Sequence, residues 1–265
     1  MNLELLNRGL GAQKRSAIIW GCALIALTIS VLAIWPSMSE SGSLDTLVGG
    51  MSPELIAALG LEGFGSAAGF LNGNLYALFL PLLFAVLGIM HTNALTAGDE
   101  DAGRLELLLA LPINRLSVYL SRFVAVMLVL AVIATLVGAA VGFGAPMLDM
   151  DIQVTGVVAA TLGVFLLALF HAALGFALAG IGLRTGAVLA GSLGALVLGY
   201  VAYALLPMIE ALESLATASP WHWALGNQPL DNGFTGTGIA LLLVGLLFLL
   251  VVGLVAVRTR TIRTA

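Results

Sequence analysis

Along this chain, apolar runs too long for a soluble core alternate with short charged punctuation. Six intervals carry no charge and are long enough to cross a bilayer: residues 16–39, 63–98, 123–148, 152–183, 185–209 and 232–257. A hydrocarbon core needs about 20 helical residues, so the spans are predicted at 17–35, 75–95, 121–143, 155–178, 186–206 and 237–257. Ahead of the first, Leu3, Leu6 and Leu10 recur at helical spacing among Glu4, Asn7, Arg8 and Lys14, so residues 1–15 read as an amphipathic helix on the membrane surface. The first span is not read as a cleaved signal peptide, because its apolar stretch is too long and no small-residue cleavage site follows Trp35-Pro36. The pattern predicts one all-α polytopic membrane domain over 1–265.

Between the second and third spans, "GDEDAGRLELLLALPINR" at 98–115 sets three acids before a leucine run. From Leu105 to Leu111 that run makes about 10 Å of helix, too little to cross. Asp99, Glu100 and Asp101 before it and Arg115 beyond Pro112 complement a helix dipole, which predicts a short helix over 102–111 within a 98–116 segment. Its surface is apolar nearly all round, so it must bury itself in headgroups or in another protein, with Glu106 at the rim. Two more short helices are expected, at 52–60 behind an N-cap Ser52 and at 208–217.

Composition agrees: hydrophobic residues are 60% and charged residues 9%. With six spans all ten lysines and arginines fall on one side, an arrangement that random placement gives roughly once in five hundred, and the positive-inside rule makes that side cytoplasmic. Both termini, the 96–120 loop and the turn at Arg184 then lie in the cytoplasm. Glu40, Asp45, Glu54, Glu62, Asp149, Asp151, Glu210, Glu213 and Asp231 lie outside. Trp20 and Trp35 bracket the first span, and Trp221 and Trp223 are expected on an outer loop near the membrane surface. Ala187, Gly191, Ala195 and Gly199, like Gly138 and Gly142, recur every four residues, a period that lets helices approach closely.

Candidate chemistry is sparse. Acids and bases are absent from mid-span, against a proton- or ion-coupled carrier. His91, His171 and His222 are scattered, without ligand spacing. "AGSLG" at 190–194, taken with His171, invites an intramembrane hydrolase but lacks the first glycine of G-x-S-x-G. Cys22 has no partner for an internal disulfide. His171 is the polar residue deepest in a span, a candidate for a cavity or subunit contact, and Phe79, Phe84, Tyr200 and Tyr203 join it as a candidate substrate path.

The acid-led stretch resembles the cytoplasmic loop of permease subunits in type-2 ATP-binding cassette exporters, a pattern near E-x-G-T-L-E-L-L-L-x-x-P-[VI]-[SN]-R. Glu100, Gly103, Leu105, Glu106, Leu107, Leu108, Leu109, Pro112, Ile113, Asn114 and Arg115 match it, and Arg104 replaces the threonine. "SPWHWALGNQPLDNG" at 219–233 resembles the pattern before the last span, with Gln228 interrupting it. The resemblance implies a permease of a bacterial plasma membrane, paired as a homodimer or with a sister chain. Its coupling helix (Glu100, Gly103, Arg104, Leu105, Glu106, Leu107, Leu108, Leu109, Pro112, Arg115) would dock on a separate nucleotide-binding subunit, and an amphipathic or lipid-like molecule or a drug would be exported. ATP and Mg belong to that subunit, since this sequence contains no phosphate-binding G-x-x-x-x-G-K-[ST] loop. Membrane lipid is the other expected partner, and nucleic acid is not. The alternatives are an ATPase-independent channel or scaffold, or the hydrolase.

Overall fold

The computed structural model describes residues 3–41, 50–52, 55 and 66–260, without the side chains at 40, 41 and 109. Those residues form no strand, and six helical stretches are long and apolar enough to cross a membrane. Helix α1 spans Leu3–Ser41, 39 residues or about 58 Å, so the surface helix and the first span are one continuous rod. The reason is packing: a Cβ on Gly9 would lie 3.0 Å from Ala125 Cβ, so the glycine that weakens the helix locally is where the third span leans on it.

The second span enters through α2 (Ala67–Leu71), whose N-cap Ser66 accepts a hydrogen bond from Gly69 N, then a π-helical turn at Asn72–Tyr76, then α3 (Phe79–Leu95). Two short helices follow, α4 (Ala97–Asp101) and α5 (Arg104–Leu109), before α6 (Arg115–Met147). Spans four and five are α7 (Val154–Gly180) and α8 (Thr185–Leu205). The helix expected at 208–217 is instead two 3-10 turns, Leu206–Met208 and Glu210–Leu212, and a single turn, α9 (Glu213–Ala216). Then come α10 (Pro220–Leu225), α11 (Pro229–Asn232) and the last span, α12 (Gly236–Thr259). The outer helix expected at 52–60 lies outside the described residues except at its start, where Ser52 Oγ accepts a hydrogen bond from Leu55 N at 3.3 Å.

Helix α7 is the hub, packed against α3, α6, α8, α10, α11 and α12. Lipid supplies no hydrophobic drive between helices, so close packing must do the work, and small residues make it possible. At one end of α7 a Cβ on Gly156 would collide with the Leu230 carbonyl, and one on Gly163 would sit 2.8 Å from the Ala224 carbonyl. At its other end Gly180 meets the Gly253 carbonyl at 2.7 Å by the same measure. The segment 219–233 is therefore a cap laid backbone-first onto glycines.

That placement corrects the expectation for Trp221. The ring is fully buried, donates from Nε1 to the Leu196 carbonyl at 3.1 Å and packs on Tyr200 with centroids 5.0 Å apart. Ser219 caps the turn that delivers it and donates to the Gly199 carbonyl at 2.7 Å. Trp223 donates to the Thr217 carbonyl at 2.7 Å. Adding side chains under the cap should cost stability: Gly156→Val and Gly163→Val are expected to lose about 1–3 kcal/mol each. Gly142→Val, whose Cβ meets nothing within 4 Å, should leave the melting temperature in detergent unchanged.

Candidate functional site

The acid-led stretch does not form one capped helix. Gly103 adopts φ +70°, a left-handed conformation that glycine takes without strain, and splits it into α4 and α5. The three acids fall on α4, and each is fixed to a different partner. Asp99 accepts from Arg104 Nε and from Arg122 Nη2, both at 2.7 Å, joining α5 to α6. Glu100 receives both arms of Arg260, at 2.7 and 2.6 Å, joining α4 to the end of α12. Asp101 accepts the first amide of α8, Thr185 N, at 2.9 Å.

Arg260 is the centre of this knot. Its Nη2 also donates to the Tyr119 hydroxyl at 3.2 Å and the Ala179 carbonyl at 3.3 Å, and its own carbonyl accepts from Arg115 Nη1 at 3.1 Å. The hydrogen-bonded Glu100 carboxylate holds its guanidinium protonated even more firmly than usual, against the opposing pull of burial. Glu100 is all but sealed from solvent, with 1% of its side chain exposed. The planar fork matches the carboxylate geometry, which a lysine could not do.

On this base α5 presents two faces. Leu105 is fully buried in the bundle and Leu108 half-buried, while Arg104, Glu106 and Leu107 are exposed, Leu107 to 75%. Leu111 and Pro112 continue the exposed surface, and Asn114 ends it by capping α6 through its side chain to Leu116 N at 2.9 Å. Thus Glu106, Leu107, Pro112 and Arg115 remain available at the surface. Glu100 and Leu105 are turned inward, Arg104 is bonded to Asp99, Gly103 is the joint, and the Leu109 side chain lies outside the described residues.

Over residues 10–258 the chain matches the family described as multidrug efflux system permease Rv1217c, C-terminal domain. It belongs to this family. Its role is accordingly that of a transport permease in a membrane. A comparison with curated proteins finds no match.

The residues expected on the permease's substrate path are not brought together. Phe84 and His171 are sealed in the core, with His171 Nδ1 bonded to the Leu167 carbonyl at 2.9 Å and its ring edge-on to Phe170. Phe79 is half-exposed, Tyr200 packs on Trp221, and Tyr203 packs near His222 at 6.4 Å. Ser192, the serine of "AGSLG", is buried, and its hydroxyl has no hydrogen-bond partner among the described residues, so the serine–histidine pair a hydrolase needs is not formed.

The open space lies elsewhere. A groove of about 530 Å³ runs between α6 and α7, floored by Gly138, Ala139, Gly142 and Thr161 and walled by Phe143, Val158 and Phe165. Thr161 is held there by the Tyr76 hydroxyl at 3.0 Å, and Tyr76 is placed by the π-helical turn. Sequence reasoning missed Asp99, Asp101, Tyr119, Thr185 and Arg260 as joint residues; an arginine just past the last span was the one available signal.

Breaking the Glu100–Arg260 pair strands a charge in a sheltered site. Glu100→Gln and Arg260→Gln should each lower stability by about 2–4 kcal/mol, and the double variant should lose less than their sum. Thermal unfolding in detergent, read as a double-mutant cycle, checks this.

Proposed function

We propose that this permease is the membrane half of an ATP-binding cassette exporter, worked by a separate nucleotide-binding subunit that docks on α5 from the cytoplasm. The observation that carries the reading is exposed Leu107 on a short helix, continued by exposed Leu111 just past its end, with the helix's root pinned to α6, α8 and α12. Exposed apolar side chains beside Glu106 and Arg115 suit a protein partner. A rigid root suits a piece that must pass displacement to the spans. ATP and Mg then reside on the partner, whose differential affinity for two arrangements of the spans supplies the conformational work. Clustering of Arg8, Arg104, Arg115, Arg122 and Arg260 around that root supports a cytoplasmic placement for this end and for both termini. A second permease, identical or a sister chain, completes the proposed exporter.

The cargo in this reading is an amphipathic or lipid-like molecule. The α6–α7 groove supports it: nearly all its walls are apolar, and it opens on the face that lipid would bathe. This moves the path from the five residues expected on it to Gly138, Gly142, Phe143 and Thr161.

Docking makes a sharper demand on Leu107 than on Leu108, since Leu108 is half-buried in the chain itself. Leu107→Asp should leave the permease inserted and folded while co-purification with its ATPase falls about tenfold or more, the worth of one buried leucine. ATP-dependent efflux should fall with it; unchanged association and efflux would overturn the docking assignment. For the groove, Gly142→Trp is expected to slow efflux of amphipathic dyes without loosening the ATPase, and unimpaired efflux in that variant would remove the groove from the path.

A further inference from the structure

Between α1, α5 and α6, on the arginine-bearing side, lies a second cavity of about 260 Å³. Arg8, Arg104 and Arg122 line it against a single carboxylate, Asp99. Even counting Glu4, one helical turn ahead of Arg8, bases outnumber acids around it. Arg122 is the informative member. It is nine-tenths buried, Asp99 engages only its Nη2, and its Nη1 has no hydrogen-bond partner among the described residues. A sheltered guanidinium donor left unmatched is costly, and such a site favours an anion with several acceptor oxygens.

The other walls are apolar: Leu5, Leu95 and Val118. A pocket with a basic mouth and a greasy wall, set where α1 and α6 reach the membrane edge, matches an amphiphile better than a soluble ion. Basic pockets between helices at a membrane surface hold anionic headgroups by this chemistry.

We propose that this cavity binds the phosphate of an anionic phospholipid from the leaflet on the arginine-bearing side, with Arg122 as the inner ligand and Arg8 and Arg104 at the mouth. The bound lipid would tie α1 to α5 and α6 at this end of the bundle. This inference stands apart from the ATPase reading, because it needs no partner subunit.

The test is native mass spectrometry of the purified full chain with phosphatidylglycerol or phosphatidylcholine, repeated with inorganic phosphate as competitor. Phosphatidylglycerol should be retained about tenfold more tightly than phosphatidylcholine, and Arg8→Gln, which leaves both Asp99 ion pairs in place, should weaken it about fivefold. Arg122→Gln should weaken it further. Equal retention of the two lipids, or phosphatidylglycerol retention unchanged in Arg8→Gln, would overturn the proposal. Displacement by millimolar inorganic phosphate would assign the anion site to a soluble phosphate and overturn the lipid assignment.

Discussion

Three consecutive carboxylates stand where four helix ends converge, and the rest of the arginine-bearing end depends on how they are shared. Asp99 reaches α5 and α6, Glu100 reaches the end of α12, and Asp101 reaches the first amide of α8. Helices in a bilayer gain little from burying apolar surface against one another, because lipid tails are equally apolar. Where the spans emerge, directional contacts therefore decide which ends stay together. A bidentate arginine–carboxylate pair, sheltered from water on the acid's side, is among the stronger contacts available there. Exposed single ion pairs would contribute far less.

That arrangement also sets which leucines of the run are exposed. Seven residues rich in leucine offer no obvious face in sequence. The αL joint at Gly103 and the Arg104–Asp99 bond set the rotation of α5, so that Leu105 enters the bundle and Leu107 leaves it. Which leucine points out is set by this joint and the ion pair beneath it. The junction of helix ends and the orientation of α5 thus share one cluster of charges.

The six spans were legible because charge-free length is a one-dimensional property. Their ends were not. Helix α1 continues through the expected surface segment because Gly9 admits Ala125, and α3 begins late because the π-helical turn at Asn72–Tyr76 absorbs the approach. The acids were read through the nearest helix dipole, a local rule, whereas Glu100 finds Arg260 at a separation of 160 residues. Trp221 was read as an interfacial anchor because tryptophan prefers that zone. Its burial depends on Gly199, which a tryptophan ring contacts where a larger residue would not leave room. The resemblance carried by the leucine motif could not separate buried motif residues such as Leu105 from exposed ones such as Leu107.

The two ends of the bundle are held by different physics. Opposite the arginines, the 219–233 cap rests on Gly156, Gly163 and Gly238, where its carbonyls lie so close that no Cβ would fit. Such steric contacts admit no partial states: a shift of the cap must open space that nothing fills. At the arginine-bearing end the contacts are hydrogen-bonded charges, directional and costly to break singly where they are sheltered. A displacement delivered to α5, as the proposed docking requires, would pass through the pinned root into α6, α8 and α12, with the glycine-seated end as the tighter contact to pivot on. The groove between α6 and α7 lies toward the cap, and Gly138 faces Thr161 across it with little room for a larger side chain.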